Sequence, residues 1–477
     1  MDRWAQVERL RALKAREGGD PLPAAGAPIA LLYPASYRVG MASLGFQWIG
    51  HLLAEAGFSV ERAFLPEESW GLADGPILTL ESERPLGDFP LVAAAVAWEL
   101  ELPGLVRALE ASGIPAPREE RGPGHPALLL GGPLTCSNPR PLAALADALL
   151  LGEADATVVP AVAAFFAQDR AAWQASVAAL DGGWAPGTGQ PEPTPARADD
   201  ALLPARARQW SPEADFADMF LVEAERGCSR ACDFCVMRRG EGRGMRVVPP
   251  ERVLAAVPAQ APRVGLVGAA VSDHPRLAEI LTALLDRGQG VGVSSLRADR
   301  VAREPVLAAL LRRAGYQTLT VAADAPSERL RANLQKGVRA EDLLRCADLA
   351  RAHGFRAVKL YAMLGLPGET DEDGDELATL LGAMAAIHPV DLALSPFVPK
   401  RRTPLEDAEF AGIRVIERRV ARLERALRGV VGMRPVSARW AWVEAMLAQG
   451  GPEAGLAAVR ATRDGGGFSA WKRAFRG

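Results

Sequence analysis

The chain has 477 residues, which is more than one compact core usually holds and suits two or three domains. Hydrophobic residues make up 49% of it and charged residues 24%, which is the composition of a globular protein. The formal net charge is −3, from 55 basic and 58 acidic residues, and no Lys/Arg-rich block occurs. The composition therefore gives no clear sign of a nucleic-acid surface.

Residues 1–19 have the pattern of a charged amphipathic helix and lack the apolar stretch of a secretory signal. No uninterrupted run of about 18 apolar residues occurs, which argues against a membrane span. The five cysteines are an odd number, and three of them lie within eight residues, which is not the pattern of a disulfide framework. We therefore expect a metal site in a reducing compartment, the cytoplasm, and no membrane partner.

The first predicted domain covers residues 20–181. Segment 43–58 has the apolar spacing of a helix that ends near Gly57. Three apolar runs predict buried strands, at 28–34, 127–132 and 146–155. Buried strands that alternate with helices indicate a doubly wound, Rossmann-like parallel sheet, whose ligand site lies beyond the carboxyl ends of the strands.

Residues 182–212 are rich in Pro, Gly and Ala without a period, which predicts an extended linker. The second predicted domain covers 213–409. Its six strand patterns are 219–225, 263–268, 291–296, 317–323, 357–363 and 390–397. The helix patterns between them are 249–257, 275–288, 304–315, 340–354 and 371–387. Six such units predict an α/β fold of the (β/α)₆ partial TIM-barrel kind, with the chemistry in the loops after the strands. Residues 410–477 are predicted to form a helical C-terminal extension.

The three clustered cysteines, Cys228, Cys232 and Cys235, have the spacing Cys-x₃-Cys-x₂-Cys directly after the first strand of the second domain. A structural zinc site needs four ligands, and no histidine occurs between His125 and His274. Buried inert thiols are a second interpretation, which suits single cysteines better. A [4Fe–4S] cluster is normally held by four cysteines, so three local thiolates would leave one iron open to a substrate or cofactor.

This motif, after the first strand of a six-stranded βα barrel, resembles the signature of the radical S-adenosylmethionine (SAM) superfamily. The resemblance implies that the amino and carboxylate groups of SAM bind the open iron. It also implies that a reductant such as ferredoxin or flavodoxin supplies an electron, and that SAM is cleaved to methionine and a 5′-deoxyadenosyl radical.

The same resemblance suggests residues that contact SAM. Phe234, between the last two cysteines, matches a position that contacts the adenine, although a core aromatic residue would fit equally. Segment 363–370 resembles a Gly-x-Pro-Gly-Glu-Thr segment in which Gly365 and Leu366 approach the adenine. The alternative for that segment is a strand-to-helix turn with an N-cap at Thr370 or Asp371.

Segment 293–299 resembles the strand-four region that supplies polar contacts to SAM in this family, with Ser295 and Arg297 as the candidates. Arg329 could pair with the SAM carboxylate or be a surface helix residue. The segment before it departs from the family pattern, because Asp324 replaces a glutamate and Pro326 a glycine. His274 either caps the following helix or takes part in chemistry.

The N-terminal segments 33–47, 128–143 and 146–155 resemble a cobalamin-binding-like domain, in a subgroup that begins Tyr-Pro-x-x-Tyr-x-Val-Gly-Met. The resemblance implies a loop at Gly131, Gly132 and Pro133 over which a flat or phosphorylated group could lie. The usual Asp-x-His-x-x-Gly segment is absent, and His51 is expected to pack on its helix. Cobalamin, a substrate, or only structural packing remain as alternatives for this domain. A methylthiotransferase would have three cysteines here, and only Cys136 is present.

Two functional hypotheses follow from the sequence. The first is a radical SAM enzyme acting on an unidentified substrate, with a cobalamin-dependent methyltransferase as one branch. The second is a non-catalytic iron–sulfur or zinc module in a larger assembly.

Overall fold

The structure is a computed structural model that describes residues 3–67, 75–237, 244–294 and 296–476. It divides into two compact units, one of residues 1–221 and 446–477 and the other of residues 222–445. Residues 410–477, predicted as one helical extension, are therefore divided between the two units. Among the described residues, no helix is both long enough and apolar enough to cross a membrane.

The first unit alternates strands and helices. Its strands are β1 (Gly18–Gly19), β2 (Pro28–Ser36), β3 (Ser59–Leu65), β4 (Leu91–Ala95), β5 (Ala127–Gly131), β6 (Ala148–Leu150), β7 (Gly183–Trp184) and β8 (Gln209–Trp210). Its helices are α1 (Arg3–Lys14), α2 (Tyr37–Gly40), α3 (Leu44–Glu55), α4 (Leu102–Ala111), α5 (Arg140–Ala143), α6 (Val158–Ala167), α7 (Arg170–Ala178), α17 (Pro452–Arg463) and α18 (Phe468–Ala474).

Six of these strands form one sheet in the order β3-β2-β4-β5-β6-β7. The first five are parallel, and β7 is antiparallel at the edge. The order reverses at β2, because the next strand in sequence lies on one side of it and the later strands lie on the other. The sheet is buried on both faces, as every residue of β3 and the first four of β4 and β5 are buried.

The sequence predicts β2, β5 and β6 but misses β3 and β4. Strand β3 carries Arg62, which is buried because it pairs with Glu17 and Glu81, each at 2.7 Å. A charged residue in the middle of a short segment hides the strand pattern. Strand β4 has three alanines in five residues, and alanine is typical of helices.

The second unit also alternates strands and helices. Its boundaries with the first unit, at residues 221/222 and 445/446, fall inside a strand and a helix. Its strands are β9 (Met219–Glu223), β10 (Glu225–Arg226), β11 (Arg246–Val247), β12 (Arg263–Val267), β13 (Gly290–Val293), β14 (Thr318–Asp324), β15 (Ala357–Leu364), β16 (Val390–Pro396) and β17 (Gly432–Pro435). Its helices are α8 (Pro250–Ala256), α9 (Leu277–Asp286), α10 (Ala298–Arg303), α11 (Pro305–Arg313), α12 (Glu328–Asn333), α13 (Ala340–Ala352), α14 (Asp371–Ile387), α15 (Ile413–Ala426) and α16 (Ala438–Gln449).

Two sheets make up most of this unit. One has the order β13-β12-β9 and the other has the order β14-β15-β16-β17, with parallel pairing throughout the second. A single parallel bridge, Arg297 to Ala322, connects the segment after β13 with β14. All six predicted strands and all five predicted helices of this region are confirmed. The short helices α10 and α12 and the strands β11 and β17 were not predicted.

The predicted linker, 182–212, contains the two-residue strands β7 and β8 and two short 3₁₀ turns, Pro186–Thr188 and Asp200–Leu202. Strand β7 pairs with β6, and β8 pairs with β1. The segment therefore extends along the first unit and hydrogen bonds to it at both ends.

Candidate metal centre

The cysteine loop begins immediately after β10. Gly227 has a φ of 84°, a conformation that residues other than glycine rarely adopt, so the chain can turn sharply into Cys228. Cys232 is buried, and Cys228 and Cys235 are partly exposed. The loop therefore presents one covered and two accessible thiols at the end of a strand.

An arginine within the loop holds it to the neighbouring strand. Arg230 donates two hydrogen bonds to the carboxylate of Asp273, at 2.7 and 2.9 Å, and also lies 3.6 Å from Asp299. Asp273 belongs to the 3₁₀ turn Val271–Asp273, which follows β12. A bidentate guanidinium–carboxylate contact fixes the orientation of the arginine side chain as well as its position. The loop is thus attached to the carboxyl end of β12.

A second attachment joins the loop to the segment after α12. The Asp233 N–H donates to the Leu334 carbonyl oxygen at 3.1 Å, and the Gln335 side chain donates back to Asp233 at 3.1 Å. The Cys232 thiol donates to the Gln335 carbonyl oxygen at 3.8 Å. The adjacent Lys336 forms an ion pair with Asp324 at the end of β14. The cysteine loop is therefore held between the ends of β12 and β14.

The three thiols lie within electrostatic range of one another. Burial raises the pKa of Cys228, and the neighbouring charges of Asp273, Cys232 and Glu225 raise it further. Burial also raises the pKa of Cys235, to which the charges of Cys232, Cys228 and Asp324 add. A cation bound by the sulfurs reverses this preference, because metal ions stabilise the thiolate form. The donor set therefore fits a cationic iron centre held by three cysteines.

Among the described residues, no group of three or more His, Cys, Asp or Glu side chains could hold one metal ion. A [4Fe–4S] cluster takes each cysteine on a different iron, so its ligands need not converge on a single point. A remaining cysteine of this unit, Cys346, is fully buried in the apolar cluster around α13, and burial raises its pKa to about 12. Cys346 is therefore suited to packing and not to ligation.

Two of the predicted SAM contacts come together in the structure. Phe234 packs against an apolar cluster that includes Leu366, and Met363 of β15 packs against the same cluster. We call this group the Phe234 cluster; its buried members are Ala325, Leu330, Leu334, Leu366 and Phe397. The interpretation of Phe234 as a core aromatic residue and its assignment as an adenine contact are compatible, since the ring is only partly buried.

Gly365 has a φ of 87°, and a Cβ atom there would lie 2.5 Å from Ile416 Cδ1. The close approach that requires a glycine is therefore made by α15 of this chain. The N–H groups of Gly365 and Leu366 both donate to the carboxylate of Glu369, at 2.6 and 2.9 Å. The turn predicted as the alternative is present, with Thr370 as the N-cap of α14.

The predicted polar contacts are arranged differently. Arg297 is buried, and its guanidinium donates to Asp299 at 2.9 Å and to the Lys336 carbonyl oxygen at 2.6 Å. Arg329 donates to Asp373 at 2.6 Å and to the Gly368 carbonyl oxygen at 3.1 Å. Both arginines thus connect segments of the chain. The remaining predicted contact, Ser295, lies outside the described residues.

His274 has a structural role. It is buried, and its Nδ1 accepts a hydrogen bond from the Arg276 N–H at 3.1 Å, while Nε2 lies 3.0 Å from the Val248 carbonyl oxygen. Burial lowers the pKa of this imidazole. Of the two predictions for His274, the structural one is the better supported.

Glu225 was not predicted as a site residue. It is fully buried three residues before Cys228; its Oε1 accepts a hydrogen bond from the Ala270 N–H at 2.6 Å, and Oε2 has no hydrogen-bond partner among the described residues. Burial raises its pKa to about 7. The signal in the sequence was a pair of glutamates, Glu223 and Glu225, at the end of an apolar strand segment just before the Gly-Cys turn.

In the first unit, Gly132 has a φ of 103°, and a Cβ atom there would lie 2.6 Å from the Val96 carbonyl oxygen. The packing of the chain itself therefore requires this glycine. His51 is buried on α3, stacks on Trp48 at 5.1 Å and lies 3.4 Å from Arg208. These contacts agree with the prediction that His51 packs on its helix.

Two protein-family models match this chain. The model described as radical SAM proteins, N-terminal, matches residues 45–186, and the model of the radical SAM superfamily matches residues 222–381. The chain belongs to the radical SAM superfamily of enzymes. In this radical SAM chain the second match contains the whole cysteine loop and both attachments that hold it.

A relative in Methanocaldococcus jannaschii, an uncharacterized protein, is 35% identical over 210 residues. The match covers 42% of this chain and 45% of the relative, so the chain spans less than half the length of that curated protein. The solved structures include the cobalamin-dependent SAM radical enzyme OxsB with aqua-cobalamin and SAM bound, at 12% identity, a TM-score of 0.49, and coverage of 85% of this chain and 58% of that one. Streptococcus suis SuiB bound to SAM has 15% identity, a TM-score of 0.32, and coverage of 44% and 48%.

Proposed function

We propose that this protein holds a [4Fe–4S] cluster with Cys228, Cys232 and Cys235 and cleaves SAM reductively at the iron that these cysteines leave open. When bound, such a cluster supplies the electron that the cleavage to methionine and a 5′-deoxyadenosyl radical requires. The observation that carries the proposal is the cysteine loop itself. Three thiols within electrostatic range stand on a loop that is fastened to two strand ends, without a fourth cysteine on that loop.

The position of the loop supports the proposal. We propose that the six strands β9, β12, β13, β14, β15 and β16 run parallel and form a (β/α)₆ partial barrel, whose two halves meet at the bridge between Arg297 and Ala322. Active sites of βα barrels lie in the loops at the carboxyl ends of the strands. The cysteine loop and Asp273 both lie at such ends, and Glu369 follows another.

The chain's own residues have distinct tasks in this proposal. Phe234, which packs against the buried Leu366, provides the apolar surface for the adenine of SAM. Arg230 holds the cysteine loop through Asp273, and Arg297 holds the loop before α13 through the Lys336 carbonyl oxygen. These contacts restrict the loop before any ligand binds, which reduces the ordering that binding would otherwise require.

The direct test is anaerobic reconstitution with iron and sulfide, reduction with dithionite, and measurement of 5′-deoxyadenosine after SAM is added. We expect about four irons per chain and formation of 5′-deoxyadenosine. Cys232→Ala is expected to lose the cluster and the product, whereas Cys346→Ala, a matched control within the same unit, keeps both. A reconstituted wild-type protein that forms no 5′-deoxyadenosine would defeat the proposal.

The alternative is a non-catalytic iron–sulfur or zinc module. It predicts one zinc per chain, or a fully ligated cluster that is indifferent to SAM. Metal analysis of the protein purified without reconstitution, followed by the SAM assay, separates the two. The accessible thiols Cys228 and Cys235 favour a centre that a ligand can reach.

Cobalamin binding by the first unit remains a prediction, as does the methyltransferase branch. The five parallel strands reverse their order at β2, and ligands of such sheets bind beyond the strand ends at the point of reversal. Hydroxocobalamin that stays with the protein after desalting, as shown by its corrin absorbance, would support this branch. An electron donor of the ferredoxin or flavodoxin kind, an unidentified substrate, and a cytoplasmic location are part of the same proposal.

A further inference from the structure

The four-stranded sheet of the second unit has one covered face and one open face. In β15, Val358, Leu360 and Leu364 belong to the apolar cluster formed with the surrounding helices. The alternate residues, Lys359 and Tyr361, point to the opposite face, because successive side chains of a strand alternate. Strands β14 and β16 show the same alternation of buried and partly exposed residues. We call this second side the open face.

The register places small residues on both sides of the tyrosine. Tyr361 is paired with Ala322 of β14 and Ala393 of β16, so its neighbours on the open face are two methyl groups. The ring is 44% exposed. Large side chains at these positions would fill the space around the ring; alanines leave room for a ligand.

Lys359 lies over this ring. Its Nζ is 4.9 Å from the ring centroid of Tyr361. Within the described ranges, no carboxylate lies within 4.0 Å of this ammonium, and the Tyr361 hydroxyl makes no hydrogen bond. An ammonium and a phenol hydroxyl with no protein acceptor therefore stand side by side on an accessible surface.

The chain contains only five lysines beside fifty arginines. Three of the other lysines bind oxygen atoms: Lys14 donates to the Glu81 carbonyl oxygen, Lys336 pairs with Asp324, and Lys400 pairs with Glu444. Lys472 lies over Phe468 on α18 of the first unit, which makes it a matched counterpart. Lys359 differs from all of these because it faces the open side of the sheet that carries the proposed SAM site.

The distance to that site is short. Met363 follows Tyr361 on the open face by two residues, about 6.6 Å along a strand, and packs with the Phe234 cluster. A ligand group bound at Lys359 and Tyr361 would thus lie next to Met363, which contacts the apolar surface proposed for adenine. A small molecule anchored there would have room to extend along the open face toward Met363 and the Phe234 cluster.

The charge of the ligand follows from the neighbours. Two donors without an acceptor among the described residues favour an anion. Asp391 is paired with Lys359 on the adjacent strand, about 4.8 Å away between backbones, and would repel a second negative charge. A singly charged carboxylate satisfies both conditions better than a phosphate.

We propose that the open face binds the carboxylate group of a small-molecule substrate through Lys359 and Tyr361. The inference names the substrate class of the enzyme proposed above and rests on that proposal for calling the ligand a substrate. The binding site itself requires no SAM cleavage, so the two can fail separately.

The test uses benzoate and its uncharged counterpart benzamide, titrated into the reconstituted full chain by calorimetry without SAM or reductant. We expect benzoate to bind at least about tenfold more tightly than benzamide. Lys359→Met should abolish this preference, and the matched Lys472→Met should retain it. Equal affinity of the two probes, no detectable binding of benzoate, or an unchanged preference in Lys359→Met would overturn the proposal.

A second variant tests the role of Asp391. Phenyl phosphate should bind more weakly than benzoate to the wild-type protein, and Asp391→Asn should improve its affinity several-fold while changing that of benzoate less. If phenyl phosphate binds more tightly than benzoate to the wild type, the carboxylate assignment is wrong. A protein that cleaves SAM but shows no preference for benzoate contradicts only this inference, and the reverse result contradicts only the proposed function.

Discussion

The two largest sheets of the molecule use parallel strands in different ways. In the six-stranded sheet of the first unit both faces are buried, and β3 has no accessible residue. In the four-stranded sheet of the second unit, every other residue of β14, β15 and β16 remains partly exposed. A parallel sheet is normally covered on both faces. Every second side chain of these three strands therefore lies outside the apolar core of the second unit.

Two buried carboxyl groups, Glu101 and Glu225, differ in their hydrogen bonding. In the first unit, both oxygens of Glu101 have partners, the Tyr33 hydroxyl at 3.0 Å and the Ala97 N–H at 2.6 Å. In the second unit, one oxygen of Glu225 has none among the described residues. An unsatisfied buried carboxyl is costly and is common near functional sites. Glu225 is such a carboxyl group, and it lies three residues before Cys228.

The largest expected loss of stability comes from a substitution in the doubly covered sheet. Leu31 in β2 is 1% exposed and belongs to the core of the first unit. Leu31→Ala should lower the free energy of unfolding by about 2–5 kcal/mol, because it removes buried methyl groups and leaves a cavity. Urea unfolding measures this loss. A loss below about 1 kcal/mol would show that this sheet is not packed on both faces.

Glu225 should make stability depend on pH. Its pKa is about 7 in the folded chain, because of burial, and about 4.3 in an unfolded chain. The folded state binds the proton more tightly, so the free energy of unfolding should fall by up to about 3 kcal/mol as pH rises from about 4 to 7, and then stay level. Glu225→Gln should remove this part of the fall in urea titrations of the iron-free protein.

The control for that measurement is Glu279→Gln, an exposed glutamate that pairs with Arg276 on α9. It should leave the dependence on pH as in the wild type. A Glu225→Gln protein with the full wild-type dependence would show that Glu225 is not the group responsible.

A smaller effect is expected for Arg230→Lys. The side chain is 31% exposed, and lysine cannot form the two-pronged contact with Asp273. We expect the substitution to weaken the attachment of the cysteine loop by about 1 kcal/mol. Iron should then be released to a chelator about fivefold faster than from the wild type. Arg276→Lys, in an exposed ion pair with Glu251, is the control. Equal release rates for Arg230→Lys and the wild type would contradict the attachment.

The smallest effect on stability is expected on the open face. Tyr361→Ala should change the free energy of unfolding by less than about 1 kcal/mol, because the ring is 44% exposed and its hydroxyl has no partner in the described part of the chain. The same urea titration that reports Leu31→Ala measures it. A loss comparable to that of Leu31→Ala would remove the distinction between the two sheets.

The sequence predicts a strand well when apolar residues occupy at least every second position. The six strands predicted for the second unit meet this condition. Strand β3 was missed because Arg62 is neutralised by Glu17 and Glu81, partners that are distant in sequence. Such pairing is invisible to a local pattern. Strand β17 was missed because its residues are mostly exposed and it gains its place only by pairing with β16.

The cysteines of the candidate site could be predicted from the sequence, whereas most of the contacts around them could not. The close approach of Ile416 to Gly365 and the bonds of Arg297 to Asp299 and Lys336 depend on tertiary contacts. The open face did have a local signal. The alternation of Lys359 and Tyr361 with apolar residues is unusual for a strand of a parallel sheet and indicates an accessible side, although this side was not predicted.

The most direct test of the central claim is electron paramagnetic resonance of the reduced, reconstituted protein before and after SAM is added. Three cysteine ligands leave one iron open, so we predict the signal of a reduced [4Fe–4S] cluster whose g-values shift when SAM binds. The control variant Cys346→Ala should show the same shift. A cluster signal that is identical with and without SAM would contradict the claim that Cys228, Cys232 and Cys235 hold a cluster with an open iron.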